Sequence, residues 1–127
     1  MTRTAEYLLA VYIAEEDNGS PVSSGELAAA VDRSQSATTE MLQRLDDRQL
    51  LTHEPYEGVT LTPEGRETAS ELYDTYTTLS AFFDVVLDLE DHDREARRLA
   101  GTVSADVAER LAETLLPEDE PRPSNPH

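Results

Sequence analysis

The chain of 127 residues contains no cysteine, which excludes disulfide bonds, thiolate catalysis and zinc sites built on thiolates. No apolar run is long enough to span a bilayer, and the N-terminus lacks a hydrophobic export core. A phosphate-binding glycine loop is also missing, and no histidine lies in a motif that would place it beside a nucleophile. These absences argue against an enzyme and a membrane protein, and they predict a cytoplasmic protein.

Lysine is absent as well. The chain has 10 arginines and 27 acidic residues, which gives a formal net charge of −17. An acidic excess without lysine resembles the proteins of halophilic archaea, which work in molar salt; the alternative is an acidic protein from an ordinary cell. At about 1 M salt the screening length is roughly 3 Å. Repulsion from a polyanion such as DNA then vanishes beyond contact range, but attraction to phosphates weakens too, so binding would depend on fit and hydrogen bonds.

Residues 23–47 predict two short helices separated by a tight turn. Ser23, with Glu26 three residues later, can form a capping box at the start of the first helix. Asp32 and Arg33 make a polar break, and Ser34 can cap the second helix. Residues at intervals of three and four on the second helix would pack against the first: Thr38, Met41, Leu42 and Leu45.

A β-hairpin is predicted next. Residues 50–52 lead into Pro55-Tyr56-Glu57-Gly58 and residues 59–61 lead back, with Gly58 supplying the turn conformation. Thr62 then precedes Pro63, an N-cap followed by a proline at the first helical position. Helix, turn, helix and hairpin in this order are typical of a winged helix-turn-helix, a module that usually reads double-stranded DNA.

The second helix presents small polar groups opposite its apolar face, as insertion into a major groove requires. The predicted DNA contacts lie on this helix, the turn before it and the hairpin tip: Arg33, Ser34, Gln35, Ser36, Ala37, Thr39, Gln43, Arg44 and Tyr56. Two alternatives stay open. The two helices and the hairpin can be an incidental combination, or the module can serve protein contacts in a dimeric adaptor that has lost DNA binding. Glu40 and Glu57 favour the adaptor slightly.

Helices are also predicted on both sides of this module. Residues 4–17 precede it, and residues 63–88, 91–101 and 104–116 follow it, the last with Val107, Leu111 and Leu115 on one face. The long helix needs a partner for its apolar stripe, so we predict a homodimer interface at Leu72, Tyr76, Leu79 and Phe83. The predicted fold is mainly α with a small β-hairpin wing. A winged helix-turn-helix domain spans residues 1–62, a helical dimerisation domain spans 63–116, and a disordered tail spans 117–127.

Four segments, in order and at matching spacing, resemble the DtxR/MntR family of iron- and manganese-dependent repressors. They are AEYLLAVYIAEE, the helix-turn-helix with its hairpin, LTPEGRETA and VSADVAERL, and the resemblance covers residues 4–116. It implies a dimeric repressor that binds a palindromic operator through the wing and the second helix. It also implies a metal effector, Mn or Fe, held with the help of residues 63–116.

The family's metal-ligand positions are poorly filled. In this sequence they fall on Glu6, Leu9, Thr77, Ala81, Asp93, Arg97, Ala100 and Gly101. Arginine stays protonated and cannot ligate a metal, and Glu6 and Asp93 without imidazole or thiolate make a poor transition-metal site. His92 is expected to start a helix. We therefore expect a repressor without the usual metal switch, with Arg97 near Glu6 as a fixed charge. The alternatives are a solvated Arg97, or a metal-responsive repressor with an atypical ligand set.

Overall fold

In the computed structural model, which describes residues 2–115, helices flank a single hairpin. The elements are α1 (Thr2–Asn18), α2 (Ser24–Val31), α3 (Gln35–Asp47), β1 (Leu51–Glu54), β2 (Gly58–Leu61), α4 (Pro63–Val85), α5 (His92–Leu99) and α6 (Ala105–Leu115). The predicted fold class, mainly α with a β-hairpin wing, is confirmed. The predicted tail, 117–127, lies outside the described residues. Among the helices described, none has both the length and the hydropathy that crossing a bilayer requires.

Four of the described helices start at a polar side chain that accepts a hydrogen bond from the backbone N–H three residues later. Ser23 Oγ, Ser34 Oγ and Thr62 Oγ1 each accept such a bond at 3.0 Å. At α6, Ser104 Oγ accepts from Val107 N at 3.1 Å. Pro63 takes the first position of α4, where a missing N–H costs nothing. Each cap contributes about 1 kcal/mol. These side chains therefore determine where α2, α3, α4 and α6 begin.

The capping box predicted at α2 forms in one direction only. Ser23 accepts from Glu26 N, but the Glu26 carboxylate turns towards the end of α1, where Asn18 Nδ2 donates to its Oε2 at 3.3 Å. The second half of the predicted motif is therefore replaced by a contact between α1 and α2.

The hairpin is held against the chain that precedes α2. β1 and β2 pair antiparallel, and Val22 adds a short bridge to Val59 through two backbone hydrogen bonds of 2.8 Å. Gly58 has φ +121°, and a Cβ there would lie 2.4 Å from the Val22 carbonyl oxygen. Glycine is thus required for the close approach of Val22 as well as for the turn, and only the turn could be predicted.

One hydrophobic cluster joins the helix-turn-helix, the hairpin and the first half of α4. Leu27, Leu42 and Leu45 are fully buried in it, and burial of each contributes about 1.5–3 kcal/mol. Ala69 of α4 is fully buried in the same cluster, so this core continues across the domain boundary predicted after residue 62. The packing fixes how α4 leaves the helix-turn-helix, while the division into two domains stays a prediction.

A smaller cluster lies where the second half of α4 meets α5 and α6. Leu79, Phe83 and Ala96 are buried in it, and Tyr76 packs against it half-buried. The stripe assigned to a dimer interface is therefore largely covered within the chain, since Leu72 packs on the first cluster. A second copy of the chain is therefore not needed to cover the four residues of this stripe.

Two helical details differ from the predictions. α4 ends at Val85 and not at residue 88, and Asp88 adopts a left-handed conformation with φ +56°, so Val86 leaves the helical stripe. On α6, Val107 is 49% exposed, Ala108 and Ala112 are buried, and Leu111 packs half-buried against the smaller cluster as predicted. These alanines are small enough to let α6 lie close to α4, which a face of larger apolar residues would prevent. The side chain of Leu115 lies outside the described part of the chain.

Glu15 is a buried carboxylate of α1 that ties α1 to the wing and to α4. Its Oε2 accepts a hydrogen bond from Leu61 N at 2.9 Å, and its Oε1 lies 2.8 Å from Arg66 Nη2. The Glu15 side chain is 5% exposed and that of Arg66 is 45% exposed. A hydrogen bond to an ionised acceptor is roughly twice as strong as a neutral one. The position of β2 on the module thus depends on this carboxylate.

Replacing Glu15 by alanine should lower the free energy of unfolding by about 1–3 kcal/mol, because the buried Leu61 N–H loses its acceptor. Glu15→Gln keeps an acceptor and should lose less. Arg66→Ala is the matched control, and because Arg66 is half exposed its loss should stay below about 1 kcal/mol. Chemical denaturation at fixed high salt measures all three, and a Glu15→Ala variant as stable as the wild type would contradict this role.

Candidate DNA-binding surface

The turn between α2 and α3 is tight because Asp32 adopts a left-handed conformation with φ +58°. Its backbone N–H bonds to Ala29 O at 3.3 Å, and the next N–H, that of Arg33, bonds to Ala28 O at 3.1 Å. Ser34 then starts α3 by capping it. The turn therefore satisfies two carbonyls at the end of α2 and directs α3 away from α2.

α3 has one buried and one open face. Thr38, Leu42 and Leu45 are buried against the module, and Thr38 Oγ1 is 3.3 Å from the Tyr7 hydroxyl of α1. The open face carries the polar side chains predicted for DNA contact, all exposed, with an acid among them: Gln35, Ser36, Thr39, Glu40, Gln43 and Arg44. A polar helix face of this kind can enter a major groove without unfolding the module.

Two of the exposed amides are already oriented. Gln35 Nε2 donates to Ser24 Oγ at 2.9 Å and reaches Thr39 Oγ1 at 3.5 Å, and Gln43 Nε2 donates to Asp47 Oδ1 at 3.2 Å. Their amide oxygens accept no hydrogen bond described here. The bond to Ser24 fixes the orientation of the Gln35 amide. An amide reads adenine with one N–H donor and its oxygen, and Gln35 keeps its oxygen and, apart from the long contact to Thr39, a second N–H for that purpose.

Three of the residues predicted to contact DNA make hydrogen bonds or packing contacts within the module. Ser34 is exposed, but its hydroxyl caps α3. Ala37 is half-buried and supplies the capped N–H. Arg33 is half-buried, donates weakly to Asp32 O at 3.4 Å, and keeps a buried Nε without a partner in the described structure. Of these, only the Arg33 guanidinium is available for a phosphate.

The wing tip is the most exposed part of the module. Tyr56 is fully exposed, with φ +69°. Its neighbours Pro55 and Glu57 are exposed too. An aromatic ring entirely in water at the end of a hairpin has no role in the core, so Tyr56 is available for a partner.

The positions of the family's metal ligands do not form a metal site. Leu9 and Ala100 are buried apolar residues, and Thr77 donates to the Asp74 carbonyl at 3.0 Å. Within residues 2–115, no cluster of three or more histidine, aspartate or glutamate side chains could hold an ion. The residues present do not fit a transition metal, which prefers imidazole or thiolate donors in a closed set.

Asp93 belongs instead to a hydrogen-bond network between α4 and α5. Ser80 Oγ donates to Asp93 Oδ1 at 2.7 Å and lies 2.8 Å from His92 Nδ1, which is itself 3.1 Å from Asp93 Oδ1. Burial raises the pKa of Tyr76, the Asp93 charge raises it further, and Arg97 opposes this. The network anchors the start of α5. His92 is the first residue of α5, as expected of a helix-start residue, and its contact with Ser80 has no signal in the sequence.

Arg97 does not pair with Glu6, contrary to the expectation. Glu6 is buried on α1, and no ion pair joins it to Arg97 in the described part of the chain. Arg97 Nη2 donates instead to the backbone carbonyl of Ala30 on α2 at 3.0 Å. The arginine thus connects α5 to the helix-turn-helix through a backbone group, for which the sequence holds no signal.

An exposed apolar patch follows the end of α4. Leu87 is 48% exposed, and the patch, which we call the α4-end patch, consists of the neighbouring residues Val85, Val86, Leu87 and Leu89. The predicted helix 63–88 included Val86 and Leu87, so the sequence pattern did not indicate that these side chains are exposed beyond the end of α4. Several large apolar side chains left in water close together are typical of an interaction surface.

Comparison with known proteins agrees with these features. The family described as iron dependent repressor, N-terminal DNA binding domain, matches residues 1–59. The uncharacterized HTH-type transcriptional regulator MJ0568 of Methanocaldococcus jannaschii is 32% identical over 108 residues, covering 84% of this chain and 86% of that protein. The HTH-type transcriptional regulator MntR of Geobacillus kaustophilus is 28% identical over 120 residues, covering 92% and 84%.

Solved structures are similar as well. The manganese regulator SloR superposes with a TM-score of 0.72 at 27% identity, covering 89% of this chain and 54% of SloR. ScaR with bound Zn²⁺ superposes with a TM-score of 0.61 at 29% identity, covering 90% and 54%. The chain thus spans about half of either structure. It belongs to the DtxR/MntR family of DNA-binding, HTH-type transcriptional regulators, and it is not an enzyme.

Proposed function

We propose that this chain is a dimeric repressor that binds a palindromic operator in the cytoplasm without a transition-metal switch. The observation that carries the proposal is the open polar face of α3, held by a buried core and flanked by an exposed wing tip. Two copies of α3 related by a two-fold axis would enter major grooves one helical turn apart, roughly 34–36 Å on B-DNA.

Base reading would come from the exposed polar side chains of α3, and phosphate contacts from the arginines. Gln35 and Thr39 lie one turn apart on the open face, and Arg44 lies further along it. Arg33 precedes the helix and Arg48 follows it, so positive charge is present at both ends of α3 in an otherwise acidic protein. This placement lets phosphates approach α3 although the net charge is −17.

Metal independence is proposed because the side chains present do not form a ligand set. Glu6 and Asp93 are the carboxylates at the family's ligand positions, and Asp93 is already bonded to Ser80. ScaR was solved with bound Zn²⁺, and the relatives include the manganese regulator SloR. Metal response through an atypical ligand set is the alternative, and a gain of operator affinity on adding Mn²⁺ or Fe²⁺ would favour it.

Alanine at Gln35 or Thr39 should weaken operator binding by about 1–3 kcal/mol and leave binding to unrelated DNA unchanged, because base contacts carry the sequence discrimination. The measurement is a gel shift with the DNA upstream of the protein's own gene, in molar potassium chloride. Thr68→Ala, an exposed change on α4, is the control. Normal affinity in both α3 variants would contradict reading by this helix. No DNA binding by the wild type would favour the adaptor, in which Glu40 and Glu57 face a protein.

A further inference from the structure

Arg97, which lies on α5, donates a hydrogen bond to a carbonyl at the C-terminal end of α2. The last carbonyls of a helix have no partner within it. At the end of α2, Ala28 O accepts from Arg33 N and Ala29 O from Asp32 N, both within the turn. Ala30 O accepts from Arg97 Nη2 at 3.0 Å. A guanidinium here also lies at the negative end of the helix dipole, where a cation is favourable.

The surroundings of Arg97 hold the guanidinium in place. It is half-buried at a cleft of about 140 Å³ between α1 and α2, whose wall includes the carboxylate residues Asp17 and Glu26. Its Nε is buried and has no hydrogen-bond partner in the described structure. A cation at a helix C-terminus, in a cleft that it shares with two acids, is electrostatically favoured.

This contact lies next to the DNA-reading helix. Ala30 is two residues before the left-handed Asp32, and α3 begins at Gln35. Movement of α5 relative to α2 would break the bond to Ala30 O and loosen the turn that directs α3. No other side-chain hydrogen bond described links α5 to the helix-turn-helix.

We propose that Arg97 is a positioning residue that locks α5 onto the helix-turn-helix and keeps α3 in its DNA-binding orientation without a metal ion. The inference rests on the proposed function and adds the group that holds the active geometry. The guanidinium is part of the chain itself, so a chelator cannot remove the contact that it makes with Ala30. A metal site at the family's positions would make the same coupling conditional, but those positions carry only two carboxylates, Glu6 and Asp93, and the described residues hold no cluster of three ligands.

The test compares Arg97→Ala, Arg97→Lys and Arg98→Ala in molar potassium chloride. Arg98 is exposed on the same helix and is the matched control. Arg97→Ala should weaken operator binding about tenfold, as expected for one charged hydrogen bond. Lysine keeps a cationic donor and should restore part of the affinity, and Arg98→Ala should change nothing. The wild-type affinity should stay the same with excess EDTA and with added Mn²⁺.

Amide hydrogen exchange provides a second measurement that needs no DNA. In Arg97→Ala, the amides of Asp32 and Arg33 should exchange faster, while amides of α4 keep their protection. Unchanged exchange together with normal operator affinity would overturn the proposal. If the wild type binds no DNA, the proposed function fails, and the exchange measurement still decides whether Arg97 orders the turn. If Arg97→Ala loses protection throughout, the Lys variant decides: restored folding without restored affinity would also overturn the proposal.

Discussion

Leu87→Asp should convert the protein from dimers to monomers and abolish binding to an operator with two half-sites. Leu87 lies in the α4-end patch directly after α4, where 48% of its surface remains exposed. In a two-fold interface the same patch contacts itself, so one substitution places a charge on both sides. Desolvating a carboxylate without a partner is strongly unfavourable, and loss of a central contact typically costs about 2 kcal/mol or more.

The comparison with Leu79→Asp separates assembly from folding. Leu79 is 3% exposed within the second cluster, so a charge there should unfold the helical half and not merely separate two folded copies. Leu87→Asp should keep its helical circular dichroism, and Thr68→Asp, which adds the same charge to an exposed site on α4, should remain dimeric. Sizing with light scattering at molar salt measures all three. A dimeric Leu87→Asp variant would show that the α4-end patch is not the interface.

The helix-turn-helix could be predicted because its information is local. Ser23, Ser34 and Thr62 cap the helices that the sequence assigned to them. The three- and four-residue spacing of Thr38, Leu42 and Leu45 likewise defined the buried face of α3, and its opposite face is exposed as expected. Capping and periodicity act within one or two helical turns, so neighbouring residues are sufficient to reveal them.

The packing of α4, α5 and α6 was less predictable, because the contacts that determine it join residues far apart in the sequence. Periodicity showed that Leu79 and Phe83 are apolar on one face, but it could not tell whether α5 and α6 or a second copy covers them. Arg97 bonds to a backbone carbonyl 67 positions away, and any residue type could have supplied that carbonyl. The end of α4 carries no glycine, so the apolar pattern ran on past Val85.

The α4-end patch also explains why assembly should depend on salt. Exposed acids stand among its apolar residues and beside them: Asp84, Asp88, Glu90 and Asp91. A two-fold interface brings these carboxylates towards their own copies, where like charges repel. The screening length is about 30 Å at 0.01 M salt and about 3 Å at 1 M, so the repulsion acts across the interface only in dilute buffer.

Dialysis from molar to millimolar salt should therefore dissociate the dimer and then reduce its helical content. The chain carries a net charge of −17, and the ion pairs described, such as Glu15 with Arg66, use few of its acids. Self-repulsion of this size destabilises a compact state, and only screening relieves it. Sizing and circular dichroism along a salt titration measure the two transitions, and returning the salt should restore both.

Neutralising the acids of the patch tests whether charge is the cause. Changing Asp84, Asp88 and Asp91 to Asn, with Glu90 to Gln, should move the dimerisation midpoint to lower salt, because these carboxylates would no longer repel their copies. The same number of changes at exposed acids of α1 and α3 (Glu16, Asp17, Glu40 and Asp47) should shift folding but move dimerisation less. Equal shifts would mean that the repulsion is spread over the whole surface. A wild-type dimer that stays folded in millimolar salt would show that the acidic excess has no structural cost, and the halophilic interpretation of the sequence would then be wrong.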